Sequence, residues 1–228
     1  MASNDTYKRI IQNELKKLRR PVHIKVFTSL KTNPDGTKEH VCIDCQNTMQ
    51  MLKIYEENSN NLLKIEELSI YDNPEFADNF DIQRVPTILL MDEREKEVIR
   101  YLANPQGQEI QPFISAIFAL GGGPNYFENA IKQNIGRIDS TTIKIMMTMQ
   151  CPYCPELIKT ANLFAVASDG KIRTVIVDII ANSDIGQYYK ASGVPYTILN
   201  ERPAIQGMIP PQELLRELIG SNINIEYR

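Results

Sequence analysis

The sequence predicts an α/β protein made of two consecutive copies of one fold, and three observations support this prediction. Two Cys-x-x-Cys motifs lie 151 − 42 = 109 positions apart. Two Val-Pro motifs, Val85-Pro86 and Val194-Pro195, are separated by 195 − 86 = 109 positions as well. In each copy, runs of β-branched residues alternate with amphipathic helical segments, which is the pattern of an α/β domain. Because two independent motifs share one offset, we infer an internal duplication.

Each copy is predicted to begin with a helix and a strand. The segment 7–18 has apolar residues at helical spacing and is followed by Pro21, which ends the helix. The matching helix of the second copy is 126–135. The strands 22–28 and 142–147 follow, both rich in apolar and β-branched residues. Their common Ile-Lys-Val/Ile motif has an offset of 119, so the first copy contains 119 − 109 = 10 extra residues. The turn-forming residues at 31–38 place this insertion in a loop.

The remaining elements follow in the same order in both copies. A long helix begins at the second cysteine of each motif, and then come a strand, a short polar helix, the strand after Val-Pro, a short fourth strand and a closing helix. The Tyr188-Tyr189 pair in the short helix of the second copy is expected to pack in the core. These predicted segments are 45–57, 63–70, 74–80, 87–91 and 112–120 in the first copy, and 154–167, 172–180, 184–190, 196–199 and 211–219 in the second.

The boundary between the copies is predicted at Gly121–Pro124. Three glycines and a proline end one apolar helical run there and precede the next. The predicted domains are therefore residues 1–120 and residues 121–228.

The composition excludes several classes of protein. The 228-residue chain is 43% hydrophobic and 23% charged, as in ordinary globular proteins, and its net charge of −3 gives no reason to expect nucleic acid or an anionic membrane as partner. No apolar run approaches the ~20 residues of a membrane helix, and the polar start predicts no leader peptide. We therefore expect a cytoplasmic protein. In a reducing compartment, four cysteines that fall only in two pairs are usually catalytic or metal-binding.

The spacing of each cysteine pair suits thiol–disulfide chemistry. The first cysteine, Cys42 or Cys151, is predicted at a helix N-terminus, where free backbone N–H groups and the helix dipole stabilise a thiolate. The second cysteine, Cys45 or Cys154, lies one turn later and can resolve the mixed disulfide that forms. The cysteines themselves exchange the electrons, so we expect redox-active disulfides and no bound cofactor or metal.

Cys151-Pro152-Tyr153-Cys154 matches the glutaredoxin active-site tetrapeptide, and the order of strand, Cys-x-x-Cys, helix and Val-Pro resembles the thioredoxin fold. Two such units in one chain are similar to the protein disulfide oxidoreductases of archaea and thermophilic bacteria. The resemblance implies two tandem thioredoxin-like domains, each a central mixed sheet flanked by helices. It also implies that the proline after each valine is cis and that Val85-Pro86 and Val194-Pro195 hold the extended substrate. Disulfide-containing proteins would be the substrates, and a flavin-dependent thioredoxin reductase would be the electron donor.

The two motifs differ in ways that predict unequal chemistry. Neither is preceded by the tryptophan of typical thioredoxins. In the first motif Asp44 should raise the pKa of the thiolate, whereas a protonated His40 would lower it. In the second, Pro152 and Tyr153 separate the cysteines. We therefore predict that Cys151 is the more reactive nucleophile and that the Cys42 pair is the more reducing.

Four other interpretations of the motifs stay open. Two Cys-x-x-Cys pairs also occur in zinc sites, although these usually separate the pairs by only ~15–20 residues. The Cys42 pair could be an inert remnant of the duplication. The tandem domain of the alkyl hydroperoxide reductase flavoprotein is similar but has lost one pair, so an electron carrier to a peroxidase is a related possibility. The last interpretation is a non-catalytic interaction module.

Overall fold

The computed structural model describes residues 4–220. The elements of the first half are α1 (Asn4–Leu15), β1 (Val22–Thr28), β2 (Leu30–Thr32), β3 (Lys38–His40), α2 (Ile43–Glu57), β4 (Leu63–Ser69), α3 (Pro74–Asn79), β5 (Thr87–Met91), β6 (Glu97–Leu102) and α4 (Ile110–Leu120). Those of the second half are α5 (Glu128–Asn134), β7 (Thr141–Met147), α6 (Cys154–Ala167), β8 (Ile172–Asp178), α7 (Ser183–Tyr188), β9 (Tyr196–Leu199), β10 (Ile205–Gln206) and α8 (Pro211–Gly220). Short 3-10 helices at Gly107–Glu109 and Ile135–Arg137 precede α4 and follow α5.

The predicted fold class is confirmed, because both halves have the same mixed-sheet topology. In the first half, β1 pairs parallel with β4 and antiparallel with β5. In the second half, β7 pairs parallel with β8 and antiparallel with β9. The β-branched strands are buried between helices, so hydrophobic burial and the ladder hydrogen bonds stabilise the same elements.

The two halves share a single sheet. Eight strands follow the order β10-β9-β7-β8-β6-β5-β1-β4, and the parallel pairing of β6 with β8 joins the halves. The main hydrophobic core also crosses the predicted boundary, since α4 of the first half packs against α6 of the second. At this junction the buried hydroxyl of Tyr101 accepts a 2.8 Å hydrogen bond from the side chain of Asn162, whose carbonyl oxygen accepts one from Thr174 at 2.7 Å. The subdivision at residue 120 therefore remains a proposal about the two fold units.

Two of the three glycines at the predicted boundary lie where a Cβ would make close contacts. A Cβ on Gly121 would lie 2.3 Å from the side chain of Leu18, and one on Gly123 would lie 2.6 Å from the ring of Phe118. The carbonyl of Gly121 also accepts hydrogen bonds from the N–H groups of Arg19 and Arg20. The segment therefore turns the chain tightly against the end of α1.

Three details differ from the sequence predictions. The first helix spans Asn4–Leu15 rather than 7–18, and the turn after it still buries Leu18. The insertion is a β-hairpin, because the residues flanking its Asn33–Gly36 turn pair as β2 and β3. The expectation for Tyr188 was wrong: its side chain is 77% exposed and stacks edge-on against the half-buried ring of Tyr189. Tyr189, which directly follows the helix, packs against the core of the second half, and its hydroxyl donates a 2.6 Å hydrogen bond to Glu201.

Candidate redox centres

Each cysteine pair forms a disulfide within its own motif. The Cα atoms of Cys42 and Cys45 are 5.3 Å apart, and those of Cys151 and Cys154 are 5.5 Å apart, in the usual range for a disulfide. The two motifs follow β1 and β7, which lie four strand spacings of about 4.8 Å apart, so these two strands are separated by about 19 Å. This arrangement does not bring the four sulfurs to one metal ion, as the zinc interpretation requires.

The first sulfur of each motif accepts a backbone hydrogen bond at the start of a helix. The Sγ of Cys42 accepts from the N–H of Cys45 at 3.1 Å, and the Sγ of Cys151 accepts from the N–H of Cys154 at 3.1 Å. Cys42 is the N-cap of α2, whereas Cys151 lies three residues before the first residue of α6. In both motifs the free N–H groups of the helix therefore face the sulfur that is expected to attack, and they favour its anionic form.

The two cysteines of each pair differ in burial. The two centres also differ from each other in how exposed their first cysteine is. Cys45 and Cys154 are fully buried, so within each pair the outer sulfur belongs to the first cysteine. Cys42 is half-buried, whereas Cys151 is only 5% exposed. The first centre is thus the more open of the two in the disulfide state.

The two Val-Pro motifs have the backbone conformation that the resemblance implies. The peptide bonds Val85-Pro86 and Val194-Pro195 are both cis. The carbonyl oxygen of Val85 is 3.8 Å from the Sγ of Cys42. In the second half, Val194 packs against the core cluster that contains both cysteines of the motif.

The predicted modulating residues lie around the two motifs. His40 ends the inserted hairpin, and its Nε2 is 2.6 Å from a carboxylate oxygen of Glu67 on the edge strand β4. The same oxygen accepts a hydrogen bond from the hydroxyl of Thr28 at 2.6 Å. Asp44, Pro152 and Tyr153 are exposed, and Tyr153 presents 64% of its surface beside the second disulfide. The structure thus pairs His40 with Glu67, while the influence of these residues on the thiolates stays a prediction.

A buried carboxylate near the second centre was not found from the sequence. Glu109 is 1% exposed, and burial, followed by the charge of Asp178, raises its pKa to about 7. Its Oε2 is buried without a hydrogen-bond partner among the described residues. Asp178 lies opposite Met147 at the end of β7, and a Cβ on Gly107 would lie 3.9 Å from Met149. The only sequence signal was an acidic residue directly before a mostly apolar helix.

Arg84 forms a second contact that the sequence did not predict. It directly precedes Val85-Pro86, and its guanidinium donates two hydrogen bonds, of 3.0 and 2.9 Å, to the carboxylate of Asp184 in the other half. It also donates to the side-chain oxygen of Asn182 at 3.2 Å. Asp184 raises the pKa of Arg84, and Arg84 lowers the pKa of Asp184. Because Gly193 occupies the equivalent position in the second half, only the first Val-Pro loop is anchored by such a side chain.

Both centres open on the same edge of the sheet. Strand β6 runs parallel to β1, since both are antiparallel to β5, and β7 and β8 continue in that direction. The carboxyl ends of β1 and β7, and with them both motifs, therefore lie at one edge.

Among residues 4–220, no helix is long and apolar enough to cross a membrane.

Comparisons with known proteins agree with this fold. A family model described as "Thioredoxin domain" matches residues 141–220. A protein disulfide oxidoreductase from Aeropyrum pernix superposes with a TM-score of 0.80 at 24% identity, covering 96% of this chain and 93% of the other. The N-terminal domain of the alkyl hydroperoxide reductase AhpF from Enterococcus faecalis superposes with a TM-score of 0.78 at 17% identity, covering 95% of this chain and 99% of the other.

In sequence, the alkyl hydroperoxide reductase AhpF from Pseudomonas aeruginosa is 25% identical over 121 residues. The match covers 53% of this chain but only 23% of that protein. Fold and site together define a tandem thioredoxin-fold protein with two Cys-x-x-Cys pairs, and they support thiol–disulfide redox activity. The resemblance to protein disulfide oxidoreductases is thus confirmed in the architecture of the chain.

Proposed function

We propose that the chain is a protein dithiol–disulfide oxidoreductase that reduces disulfides of other proteins, with oxidation and isomerisation as related activities. The observation that best supports this is the placement of an outer sulfur at a helix start, with the carbonyl of a cis Val-Pro loop 3.8 Å from it at the first centre. Such a sulfur is ready to react as a thiolate. The neighbouring loop offers backbone groups to an extended substrate segment.

The reaction at each centre has two steps. The thiolate of Cys42 or Cys151 attacks one sulfur of the substrate disulfide, a new mixed disulfide forms, and the other substrate sulfur leaves as a thiolate. The thiolate of Cys45 or Cys154 then attacks the mixed disulfide and releases the second substrate thiolate. The substrate gains two electrons, the motif loses two, and the product thiolates are protonated from solvent.

The centres must be reduced again by an external donor. The strands that carry the two motifs are about 19 Å apart. We therefore infer that the two cysteine pairs do not exchange directly with each other while the sheet is intact. We propose a flavin-dependent thioredoxin reductase as the donor, by the family resemblance, and the cytoplasm as the compartment. The disulfides serve as the redox groups, without a bound cofactor.

Turnover of a protein disulfide tests this function. Dithiothreitol-driven reduction of insulin is measured for the parent protein, for Cys42→Ser, for Cys151→Ser and for the double variant. We expect each single variant to keep part of the activity and the double variant to lose it. Equal rates in all four proteins would contradict the proposal and favour a non-catalytic interaction module.

The likeness to the AhpF proteins of two alkyl hydroperoxide reductases supports a second candidate, an electron carrier to a peroxidase. This function predicts that the reduced protein transfers electrons to a disulfide-form peroxiredoxin faster than to insulin. Peroxide consumption in a reconstituted system, with insulin as competing substrate, distinguishes the two candidates.

A further inference from the structure

Ser29 contacts both cysteines of the first centre. It follows β1 directly, is 4% exposed, and its Oγ accepts a 2.7 Å hydrogen bond from the N–H of Cys42. The same Oγ lies 3.8 Å from the Sγ of Cys45. Its backbone carbonyl accepts a hydrogen bond from the N–H of Val41 and so closes the base of the inserted hairpin. One small side chain therefore bridges the attacking and the resolving cysteine.

In the second centre a backbone carbonyl, rather than a side-chain hydroxyl, accepts the N–H of the first cysteine. Thr148 follows β7 as Ser29 follows β1, and its backbone carbonyl accepts the N–H of Cys151 at 3.0 Å. Only three positions separate Thr148 from Cys151, so an ordinary turn makes this bond. In the first half the hairpin lengthens the separation to thirteen positions, and the side chain of Ser29 replaces the turn carbonyl as acceptor. The difference between the centres is thus a consequence of the insertion.

We propose that Ser29 is a catalytic residue of the first centre, where its hydroxyl donates a hydrogen bond to the Cys45 sulfur and stabilises the resolving thiolate. A lone pair of the hydroxyl oxygen accepts the N–H of Cys42, so its hydrogen remains available to the sulfur. A sulfur in a disulfide is a weak acceptor, whereas a thiolate is a strong one. The hydrogen bond is therefore strongest when Cys45 is about to attack.

This inference rests on the proposed function and concerns its second step. In the mixed disulfide, Cys42 is bonded to a substrate sulfur. The thiolate of Cys45 attacks the Sγ of Cys42, the intramolecular disulfide forms, and the substrate leaves with the electron pair of the broken bond and takes a proton from solvent. Ser29 transfers no proton in this step. Without its hydroxyl, the pKa of the buried Cys45 thiol should rise by about one unit, which lowers the thiolate fraction about tenfold near neutral pH. The remaining thiolate is more nucleophilic, so resolution slows by about threefold.

The test isolates the first centre by the changes Cys151→Ser and Cys154→Ser. The reduced protein is mixed rapidly with oxidised glutathione, and acid-quenched samples are analysed by mass spectrometry for the Cys42–glutathione mixed disulfide between pH 6 and pH 10. Ser29→Thr and Ser29→Val are compared, because both add a methyl group and only threonine keeps the hydroxyl. We expect resolution near neutral pH to be about threefold slower in the valine variant than in the threonine variant, with its pH midpoint about one unit higher.

Ser59→Ala is the matched control. Ser59 is also fully buried in the first half and also bridges backbone groups, since it accepts from the N–H of Leu63 and donates to the carbonyl of Glu56. Its loss should leave both the rate and the pH midpoint of resolution unchanged. Equal rates and midpoints for the threonine and valine variants would overturn the role of Ser29. If oxidised glutathione does not convert the reduced Cys42–Cys45 pair to its disulfide at all, the proposed function fails instead, and the role of Ser29 fails with it.

Discussion

Replacing the buried carboxylate of Glu109 should stabilise the protein in a pH-dependent way. The pKa of this group is about 7 in the folded protein, because burial and the charge of Asp178 disfavour the anion, against 4.5 for an ordinary glutamate. Below pH 4.5 the carboxyl is neutral in both the folded and the unfolded chain. As the pH rises from 4.5 to 7, only the unfolded chain loses the proton, so stability falls with rising pH across this window. Glu109→Gln is neutral at every pH and removes the effect.

The magnitude follows from the difference between the two pKa values. A difference of about 2.5 units corresponds to about 3 kcal/mol at pH 8, and to less than about 1 kcal/mol at pH 5. The buried Oε2 accepts no hydrogen bond among the described residues, so the amide loses no bond there. The free energy of unfolding of the glutamine variant should therefore exceed that of the parent by about 3 kcal/mol at pH 8.

Urea unfolding of the oxidised proteins at pH 5 and pH 8 measures this difference. Glu57→Gln is the control, because Glu57 is an exposed carboxylate at the end of α2 and its replacement reports the effect of removing one surface charge. The reasoning is refuted if Glu109→Gln changes the free energy of unfolding by the same amount at both pH values.

Three further predictions concern the centres and the junction between the halves. Iodoacetamide alkylation of the reduced protein should modify Cys151 faster than Cys42 near pH 7. Equilibration with glutathione should give the Cys42 pair the lower reduction potential. The reverse order in either experiment would contradict the prediction that Cys151 is the more reactive nucleophile and the Cys42 pair the more reducing. In a protein that retains only the first centre, Arg84→Met should raise KM for insulin by at most about fivefold with little change in kcat, because its partner Asp184 is exposed and exposed ion pairs contribute little. An unchanged KM would remove the anchoring role of Arg84. Asn162→Leu should lower the free energy of unfolding by about 2–4 kcal/mol, since it leaves the buried hydroxyls of Tyr101 and Thr174 without their partner. A loss below about 0.5 kcal/mol in urea unfolding would argue against a stabilising role of these two hydrogen bonds.

The duplicated fold was predictable because its signals are local and repeated. Strands such as 22–28 and 87–91 are short apolar runs between turn residues, and the helix after each cysteine has its own apolar periodicity. The two Val-Pro motifs added a second repeat at the same offset. The pairing of β6 with β8 was not predictable, because no local pattern in the sequence specifies which strand of the other half an outer strand will pair with.

The cysteines and Val-Pro motifs were also visible in the sequence, since few residue types supply this chemistry. Ser29, Arg84 and Glu109 were not, because their roles depend on partners 16, 100 and 69 positions away in the chain. The insertion was located correctly but interpreted as a loop. Its turn residues are typical of loops and hairpins alike, and only the pairing of Leu30–Thr32 with Lys38–His40 distinguishes the two.

The junction strands β6 and β8 have a consequence for each half of the chain on its own. Each would be the outer strand of its unit if that unit stood alone, with a row of unpaired amide groups facing water. A protein consisting of a single unit would need another way to cover these unpaired amide groups. In the present chain the pairing of β6 with β8 covers them. Excision of either half today would uncover both the row and the apolar surface between α4 and α6. Each half of the chain therefore depends on the other to cover these groups, whatever the activity of its own cysteine pair.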